Sequence, residues 1–329
     1  MATDQRFVRT SETALWQQCR LKWYLAYNLG FISDRINPNF WLGGFVHYAL
    51  SEWYLGHVND PAHFFWWLGT NSIEEERADK ITIEGMDVDV EGLADLDKML
   101  WLGVGMLEGY VEWAAEWASD FDVIESELSI FLDLKDNDGR PFTYVVKLDL
   151  LTENSEGLRV ADFKTAADFR DQSTVHTYQQ FRRYPWILRE AFPEWKDDVV
   201  GSEWIALRKI VPSNRSKPPY FMRLPIDISP HEFEGIGREL VAEATAMLRV
   251  EEKIADGEPV RDHIYPTPSP DCAWRCDFFV NGMCQVWRSG EDDLTAVAEA
   301  HGELGHDHYG EYREEFFVSV DTIGRREGG

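Results

Sequence analysis

The chain has 329 residues, of which 44% are hydrophobic and 28% are charged, a composition typical of a folded globular protein rather than a disordered one. No apolar run reaches the ~20 residues that span a bilayer, and the first residues lack the apolar stretch of a secretory signal, so we expect a soluble cytoplasmic protein. The formal net charge of −27 argues against a broad basic surface for nucleic acid.

The first third of the chain is predicted to be mainly helical, over about residues 11–118, because its apolar residues recur at helical spacing. The first helix contains Cys19, and a second helix over residues 40–57 contains His47. A polar and acidic stretch at residues 80–92 interrupts the pattern.

The pattern then changes to alternating strands separated by turn signals, which predicts an antiparallel meander of three strands followed by alternating helices and strands. The predicted strands cover residues 123–134, 143–152, 158–165, 202–211 and 220–228, and the predicted helices cover residues 173–192 and 229–254. This order of elements predicts an α/β fold.

Two acids and a lysine fall on two of these strands. Asp149 lies on the second strand, and Asp162 and Lys164 share a face of the third because side chains alternate along a strand. Antiparallel pairing can bring Asp149 beside them, where a divalent cation would relieve the repulsion between carboxylates. The lysine could then orient a water molecule or stabilise charge. Taken alone, these residues are more often a partly exposed ion pair, since short patterns recur by chance.

The four cysteines are unevenly placed. Cys19 lies near the N-terminus, whereas Cys272, Cys276 and Cys284 lie in a polar loop at residues 260–288. This clustering favours a site with four thiolate ligands, either an iron–sulfur cluster or a tetrahedral Zn²⁺ ion, over a disulfide framework. Four unrelated reduced thiols are the alternative. A shared site would close almost the whole chain into a loop, so that ligand binding contributes directly to folding.

Further motifs join these residues in a fixed order along the chain, and the ordered set resembles the PD-(D/E)XK nuclease superfamily. Within it, the chain is similar to RecB-like members that hold an iron–sulfur cluster, such as the CRISPR-associated RecB-like exonucleases and the AddB-type nuclease domain. The motifs are a cysteine-bearing opening at Cys19, G-x-x-x-H at Gly43 to His47, Asp149, D-x-K at Asp162 to Lys164, Gln–hydrophobic–x–x–Tyr at Gln180 to Tyr184, and three late cysteines.

The resemblance implies a restriction-endonuclease-like core, in which helices flank a central mixed sheet. It implies one RecB-like nuclease domain at residues 1–290, with a helical region at about 11–118, an α/β core at about 119–255 and a cysteine loop at 260–288 closed by Cys19. Residues 291–329 would then form an acidic tail.

The activity implied by the resemblance is that of a Mg²⁺- or Mn²⁺-dependent deoxyribonuclease. It would be an exonuclease on single-stranded or end-containing DNA, acting in recombination, repair or replication. Two alternatives are a structure-selective endonuclease and a non-catalytic DNA-binding or scaffold protein on the same fold.

The resemblance also implies roles for individual residues. Asp149 and Asp162 would bind the metal ion, with His47 and the backbone carbonyl of Phe163 as further ligands. Lys164 would position the attacking water.

Two more features of the family map onto this chain. Gln180 and Tyr184 would flank the site and help hold the substrate or the lysine. The family also places a glutamate on the first strand, where Glu125 and Glu127 both qualify, and the spacing slightly favours Glu125.

The cysteine spacing C-x3-C-x7-C departs from the tighter C-x2-C-x5-C that is general in the resembling families. The number of cysteines still matches a 4Fe–4S cluster, with structural Zn²⁺ as the alternative.

Positive charge is concentrated near the expected site. Phosphate contacts require local cations, and six basic residues are candidates for contact with DNA: Arg182, Arg183, Arg208, Lys209, Arg215 and Lys217. The overall acidity therefore predicts that DNA is admitted only at a local channel and that activity falls as salt rises.

Overall fold

The computed structural model describes residues 6–31, 37–84, 90–117, 120–169, 172–280 and 282–290. The expected acidic tail at residues 291–329 lies outside the described residues.

The N-terminal third is helical after one short strand, as the apolar spacing predicts. The elements of this part are β1 (Phe7–Arg9), α1 (Thr10–Gln18), α2 (Arg20–Trp23), a π-helical turn (Tyr24–Asn28), α3 (Pro38–Tyr54), α4 (Pro61–Glu84) and α5 (Val90–Ala114).

The remainder alternates between strands and helices. Its elements are β2 (Asp122–Lys135), β3 (Pro141–Asn154), β4 (Gly157–Ala166), α6 (Gln172–Val175), α7 (Gln179–Ala191), a 3-10 turn (Pro193–Trp195), β5 (Val199–Arg208), β6 (Phe221–Asp227), α8 (Pro230–Ala255), α9 (Val260–His263), α10 (Cys272–Arg275), α11 (Asp277–Val280) and α12 (Met283–Ser289).

The strands form a mixed sheet. Pairing follows the order β1-β3-β4-β5-β6, with β2 also paired to β3. β3 and β4 are antiparallel and β5 and β6 are antiparallel, whereas β4 and β5 are parallel and are joined by a crossover through α6 and α7. The predicted α/β class with a central mixed sheet and flanking helices is confirmed.

The chain divides into two compact units. One contains Met1–Arg35, Phe131–Val146 and Arg238–Gly329, and the other contains Ile36–Ile130 and Lys147–Gly237. The first unit includes all four cysteines, and the second includes α3, β4 and α7.

Both faces of the sheet are buried in the second unit. Phe163 and Ile205 belong to an apolar core with α3, α4 and α5, whereas Trp204 and Ala206 pack with Phe181 of α7. Consistent with burial on both faces, consecutive residues of β4 and β5 are buried along most of each strand, including the polar residues Arg159, Asp162 and Glu203.

The helix α7 carries a proline in its interior, and this proline determines one of its contacts. Pro185 has no N–H to donate to the carbonyl of Phe181, four residues earlier. That carbonyl instead accepts a hydrogen bond of 2.6 Å from the hydroxyl of Ser202 on β5. The chain therefore uses the acceptor freed by the proline to attach α7 to the sheet.

The crossing of α4 and α5 depends on a glycine. A Cβ atom at Gly103 would lie 2.2 Å from Cζ of Phe65, whose side chain is fully buried. We expect Gly103→Ala to destabilise the protein by about 1–3 kcal/mol, because overpacking outweighs the better helix propensity of alanine.

Chemical denaturation measures this effect. Gly235→Ala on α8 is the matched control, since a Cβ atom there meets nothing within 4 Å, and it should stabilise the protein by up to about 1 kcal/mol. Equal stabilities for the two alanine variants would contradict the proposed close approach of Gly103 and Phe65.

Candidate active site

Adjacent strands and two helices bring the predicted carboxylates together at one site in the second unit. Asp149 of β3 has its Oδ2 atom 3.2 Å from Nδ1 of His47 on α3. The same oxygen accepts a hydrogen bond of 2.8 Å from the backbone amide of Phe163 on β4. The strand pair and α3 therefore hold Asp149 from two sides.

Asp162 is the more buried of the two aspartates, with 4% of its surface exposed. Its Oδ1 atom accepts a hydrogen bond of 2.7 Å from the side-chain amide of Gln180 on α7. Its Oδ2 atom forms an ion pair with Nζ of Lys164 at 2.5 Å. Because 37% of the Lys164 side chain is exposed, its ammonium can reach a substrate from this position.

Burial and the oppositely charged neighbours act in opposite directions on the pKa values of Asp162, Asp149 and Lys164. Burial raises the pKa of Asp162 to about 6, although the Lys164 ammonium acts in the opposite direction. Burial also acts to raise the pKa of Asp149, but His47 and Lys164 outweigh it and the pKa is lowered. Burial acts to lower the pKa of Lys164, but Asp162 and Asp149 outweigh it and the pKa is raised. Lys164 is therefore a protonated cation in this arrangement.

Two serines that the sequence reasoning missed connect α3 to β3. The hydroxyl of Ser126 on β2 donates a hydrogen bond of 3.0 Å to the backbone carbonyl of Asp149. The same hydroxyl is hydrogen-bonded to that of Ser51, which is fully buried. Ser51 follows His47 by four residues and so lies on the same helix face. This spacing was the sequence feature that could have identified Ser51 as a neighbour of the site.

The two candidate glutamates on β2 are engaged elsewhere. Oε1 of Glu125 accepts a hydrogen bond of 3.1 Å from the backbone amide of Ser126. Glu127 forms an ion pair with Lys147 and has a positive φ of 54°, which marks an irregularity in the strand. The choice between Glu125 and Glu127 as the active-site glutamate stays a prediction.

The predicted Gln–hydrophobic–x–x–Tyr motif begins α7. The helix predicted over residues 173–192 is divided, because Tyr178 has extended backbone angles and separates α6 from α7. Gln180 therefore lies in the first turn of a new helix, and Tyr184 follows one turn later and is partly buried.

The basic residues predicted to contact DNA have different environments. Arg183 is 3% exposed, so its side chain is buried in this structure, and its assignment to DNA contact stays a prediction. Arg182 is partly exposed. Arg208 donates a hydrogen bond of 3.0 Å to the backbone carbonyl of Lys217.

The loop between β5 and β6 presents the other cations. Arg215 and Lys217 are exposed there. Nζ of Lys209 donates a hydrogen bond of 2.5 Å to the side chain of Asn39 at the start of α3.

The four cysteines line a single, mainly apolar pocket in the first unit: Cys19, Cys272, Cys276 and Cys284. Burial raises the pKa values of the Cys276 and Cys284 thiols, and the neighbouring cysteines act in the same direction. The thiols are therefore close enough to influence one another electrostatically.

The segment Pro266 to Pro270 supplies two backbone donors to this pocket. Every second residue of the segment is proline and has no N–H. The two remaining amides both point at sulfur: Thr267 donates to Sγ of Cys19 and Ser269 donates to Sγ of Cys272, each at 3.3 Å. Sequence reasoning missed these donors, although the alternating prolines were visible.

A model of the PD-(D/E)XK nuclease superfamily matches residues 10–284. The chain belongs to the PD-(D/E)XK nuclease superfamily. Comparison with curated proteins gives no match. Among solved structures, the crystal structure of SSO0001 is similar at 14% sequence identity, over 46% of this chain and 67% of that chain, with a TM-score of 0.28. None of the described helices is long and apolar enough to cross a membrane.

The donor chemistry of this superfamily member fits a hard divalent cation. Two carboxylates and an imidazole converge, and the buried Oδ2 atom of Asp162 is paired with a cation, the ammonium group of Lys164. As the side chains stand, the described ranges contain no group of three or more His, Cys, Asp or Glu residues in a metal-binding arrangement. His47 and Lys164 instead contact the carboxylates of Asp149 and Asp162.

The raised pKa of Asp162 predicts a pH dependence of stability. The carboxyl of Asp162 binds its proton more tightly in the folded protein than in the unfolded chain. Its contribution to the free energy of unfolding is therefore present below pH ~4 and is lost as pH rises through about 6. In EDTA, we expect the free energy of unfolding of the wild type, relative to Asp162→Asn, to fall by on the order of 2–3 kcal/mol between pH 4 and 7.

Urea unfolding of both proteins across this pH range measures the difference. The asparagine variant keeps the shape of the side chain and cannot titrate, so it isolates the carboxyl group. A constant difference between the two proteins over the range would show that burial does not raise the pKa of Asp162.

Proposed function

We propose that this superfamily member is a Mg²⁺- or Mn²⁺-dependent deoxyribonuclease that hydrolyses phosphodiester bonds, and specifically an exonuclease on single-stranded or end-containing DNA. The observation that supports this most directly is the convergence of Asp149, Asp162 and Lys164 from neighbouring strands. Two carboxylates beside a protonated lysine suit phosphodiester hydrolysis, because the carboxylates can bind a metal ion and the lysine places a fixed positive charge near the phosphate.

The metal ligands we propose are Asp149, Asp162, His47 and the backbone carbonyl of Phe163. A bound divalent cation supplies charge neutralisation at the phosphate and lowers the pKa of a coordinated water molecule. Carboxylate oxygens are the preferred ligands of Mg²⁺ and Mn²⁺, and an imidazole is compatible with Mn²⁺.

Lys164 and Gln180 have distinct roles in this proposal. Because its pKa is raised, Lys164 holds its proton and can donate to a phosphate oxygen or to the attacking water, rather than accept a proton. Gln180 fixes one oxygen of Asp162 through its amide, so the second oxygen keeps its orientation. Tyr184, one turn further along α7, would help to hold the substrate.

DNA would approach along the segment from the end of β5 to β6, with the exposed Arg215 and Lys217 and the partly buried Arg208 and Lys209 at phosphates. We place the enzyme in recombination, repair or replication, in the cytoplasm. A structure-selective endonuclease and a non-catalytic DNA-binding scaffold are the alternatives, and a covalently closed circular substrate separates the endonuclease from the exonuclease.

We propose that the four cysteines hold a 4Fe–4S cluster, with structural Zn²⁺ as the alternative. The support is that all four line one pocket and that two sulfurs accept backbone N–H donors. Such donors stabilise thiolates and are a recognised influence on cluster potential. The group would join Cys19 to the three late cysteines, so its loss would lower stability.

We expect Asp162→Asn and Lys164→Ala each to lower cleavage of end-labelled DNA by at least about a hundredfold, since each removes a group that interacts with the transition state. The assay uses purified protein with Mg²⁺, with Mn²⁺ and with EDTA. Thermal unfolding checks that both variants fold.

The matched controls are Asp197→Asn and Lys196→Ala, which change exposed residues of the same types outside the site. Both should cleave as the wild type does. Unchanged cleavage by Asp162→Asn or Lys164→Ala would refute the assigned roles, and DNA binding without cleavage by the wild type would favour the scaffold.

The backbone donors to the cysteine pocket give a separate prediction. Ser269→Pro removes the amide that donates to Cys272, whereas Ser269→Ala removes only the hydroxyl. We expect the proline variant to retain metal about ten- to a hundredfold more weakly than the alanine variant. If the group is an iron–sulfur cluster, its reduction potential should also be lower in the proline variant.

The measurements are iron, sulfide and zinc content, the visible absorption spectrum and a redox titration of anaerobically purified protein. The alanine variant should match the wild type. Identical metal retention and potential in the proline and alanine variants would show that the Ser269 amide does not act on the bound group.

A further inference from the structure

Phe40 is the most exposed large apolar side chain among the described residues, with 79% of its surface in solvent. Other aromatic residues of α3 pack on ring neighbours: Trp41 on Phe45 at 5.0 Å and Tyr48 on Phe64 at 5.7 Å between centroids. Phe40 has no ring partner within the described part of the chain. An aromatic ring left in water without a neighbour suits a ligand with an apolar flat face.

Phe40 shares a helix face with His47. The two residues are seven positions apart, or about two turns, which separates them by about 10 Å along the axis. Gly43 and Gly44 lie between them. A Cβ atom at Gly44 would meet nothing within 4 Å, and one at Gly43 would meet only Oγ1 of Thr165 at 3.4 Å. Gly43 and Gly44 therefore form a floor on the helix surface between Phe40 and His47, bordered at Gly43 by the side chain of Thr165.

A cation lies at the Phe40 end of this floor. Nζ of Lys209 is hydrogen-bonded to Asn39, the residue before Phe40, and the backbone amide of Lys209 donates to the carbonyl of Ala166 at the end of β4. An exposed ring and an ammonium group bound to the residue before it together match a nucleotide, which combines a flat base with a phosphate. In duplex DNA the base faces are covered by stacking, so only an unpaired base can use the ring.

We propose that Phe40 stacks on an unpaired base of a single DNA strand, which runs over Gly43 and Gly44 to the site at His47, with Lys209 at one of its phosphates. This inference rests on the proposed nuclease function and names single-stranded DNA as the form that enters the site.

Binding to a labelled single-stranded oligonucleotide in EDTA tests the stacking contact, because cleavage does not proceed without metal. We expect Phe40→Ala to bind about five- to a hundredfold more weakly than the wild type. The control is Trp101→Ala on α5, which removes another exposed ring, 64% exposed, and should leave binding unchanged.

A series of oligonucleotides with one abasic position makes the test specific. At the position that stacks on Phe40, loss of the base should weaken binding by the wild type. With that oligonucleotide, Phe40→Ala should not weaken binding further. Wild-type affinity in Phe40→Ala, or an alanine effect that persists at every abasic position, would overturn the inference.

A second pair of variants blocks the floor without removing the ring. Gly44→Leu and Gly235→Leu each add a side chain to an open helical position, so both should fold normally. We expect only Gly44→Leu to slow cleavage of single-stranded DNA, by at least about tenfold. Equal cleavage by the two variants would contradict the path over α3.

The failures of the two proposals are distinguishable. If the wild type neither binds nor cleaves any form of DNA, the nuclease function itself fails. If it cleaves DNA while Phe40→Ala and Gly44→Leu behave like the wild type, only the stacking contact fails. A change of oligomeric state in Phe40→Ala with normal DNA binding would identify the surface as a protein contact and overturn the inference.

Discussion

Two aspartates on neighbouring strands set the main electrostatic constraint on the second unit. Negative charges at short range in a partly desolvated site repel strongly, and each must be balanced locally. Asp149 contacts His47 from α3 and accepts a hydrogen bond from the backbone amide of Phe163, and Asp162 is held by Lys164 on its own strand and by Gln180 from α7. The placement of two helices against the sheet is therefore coupled to the charge state of two side chains.

Hydrogen bonds to backbone carbonyls also fix the positions of α3 and α7 against the sheet. Ser51 and Ser126 connect the helix that carries His47 to the carbonyl of Asp149. On the opposite side, the carbonyl of Phe181 accepts from Ser202, and Phe181 is the residue after Gln180. Both helices are thus attached to the sheet within one turn of the side chain that contacts an aspartate, which limits how far either side chain can move.

Apolar spacing and turn signals predicted the order of helices and strands, and that order predicted the α/β class. The central mixed sheet with flanking helices was implied by the family resemblance. Strand periodicity placed Asp162 and Lys164 on one face, where they form an ion pair. The family resemblance then implied that His47, Asp149 and Gln180, which are distant in sequence, belong to the same site. Their proposed catalytic roles stay predictions.

Other features depended on information that local sequence does not contain. Arg183 lies beside Arg182, yet only its position on α7 decides that one is buried and the other partly exposed. The helix predicted over residues 173–192 is interrupted before α7 because Tyr178 has an extended backbone. The apolar pattern of these residues does not predict this break. Glu127 has a positive φ within β2, and strand alternation alone does not predict such an irregularity.

The alternation of prolines from Pro266 to Pro270 has a consequence for how this part of the chain can evolve. Its two amides reach two different sulfurs, and each is flanked by residues that have no N–H. Insertion or deletion of one residue would place a proline nitrogen where each donor stands, whereas a change of two residues would restore the pattern. The segment should therefore tolerate length changes in steps of two, a parity rule of the kind usually associated with strands in a sheet.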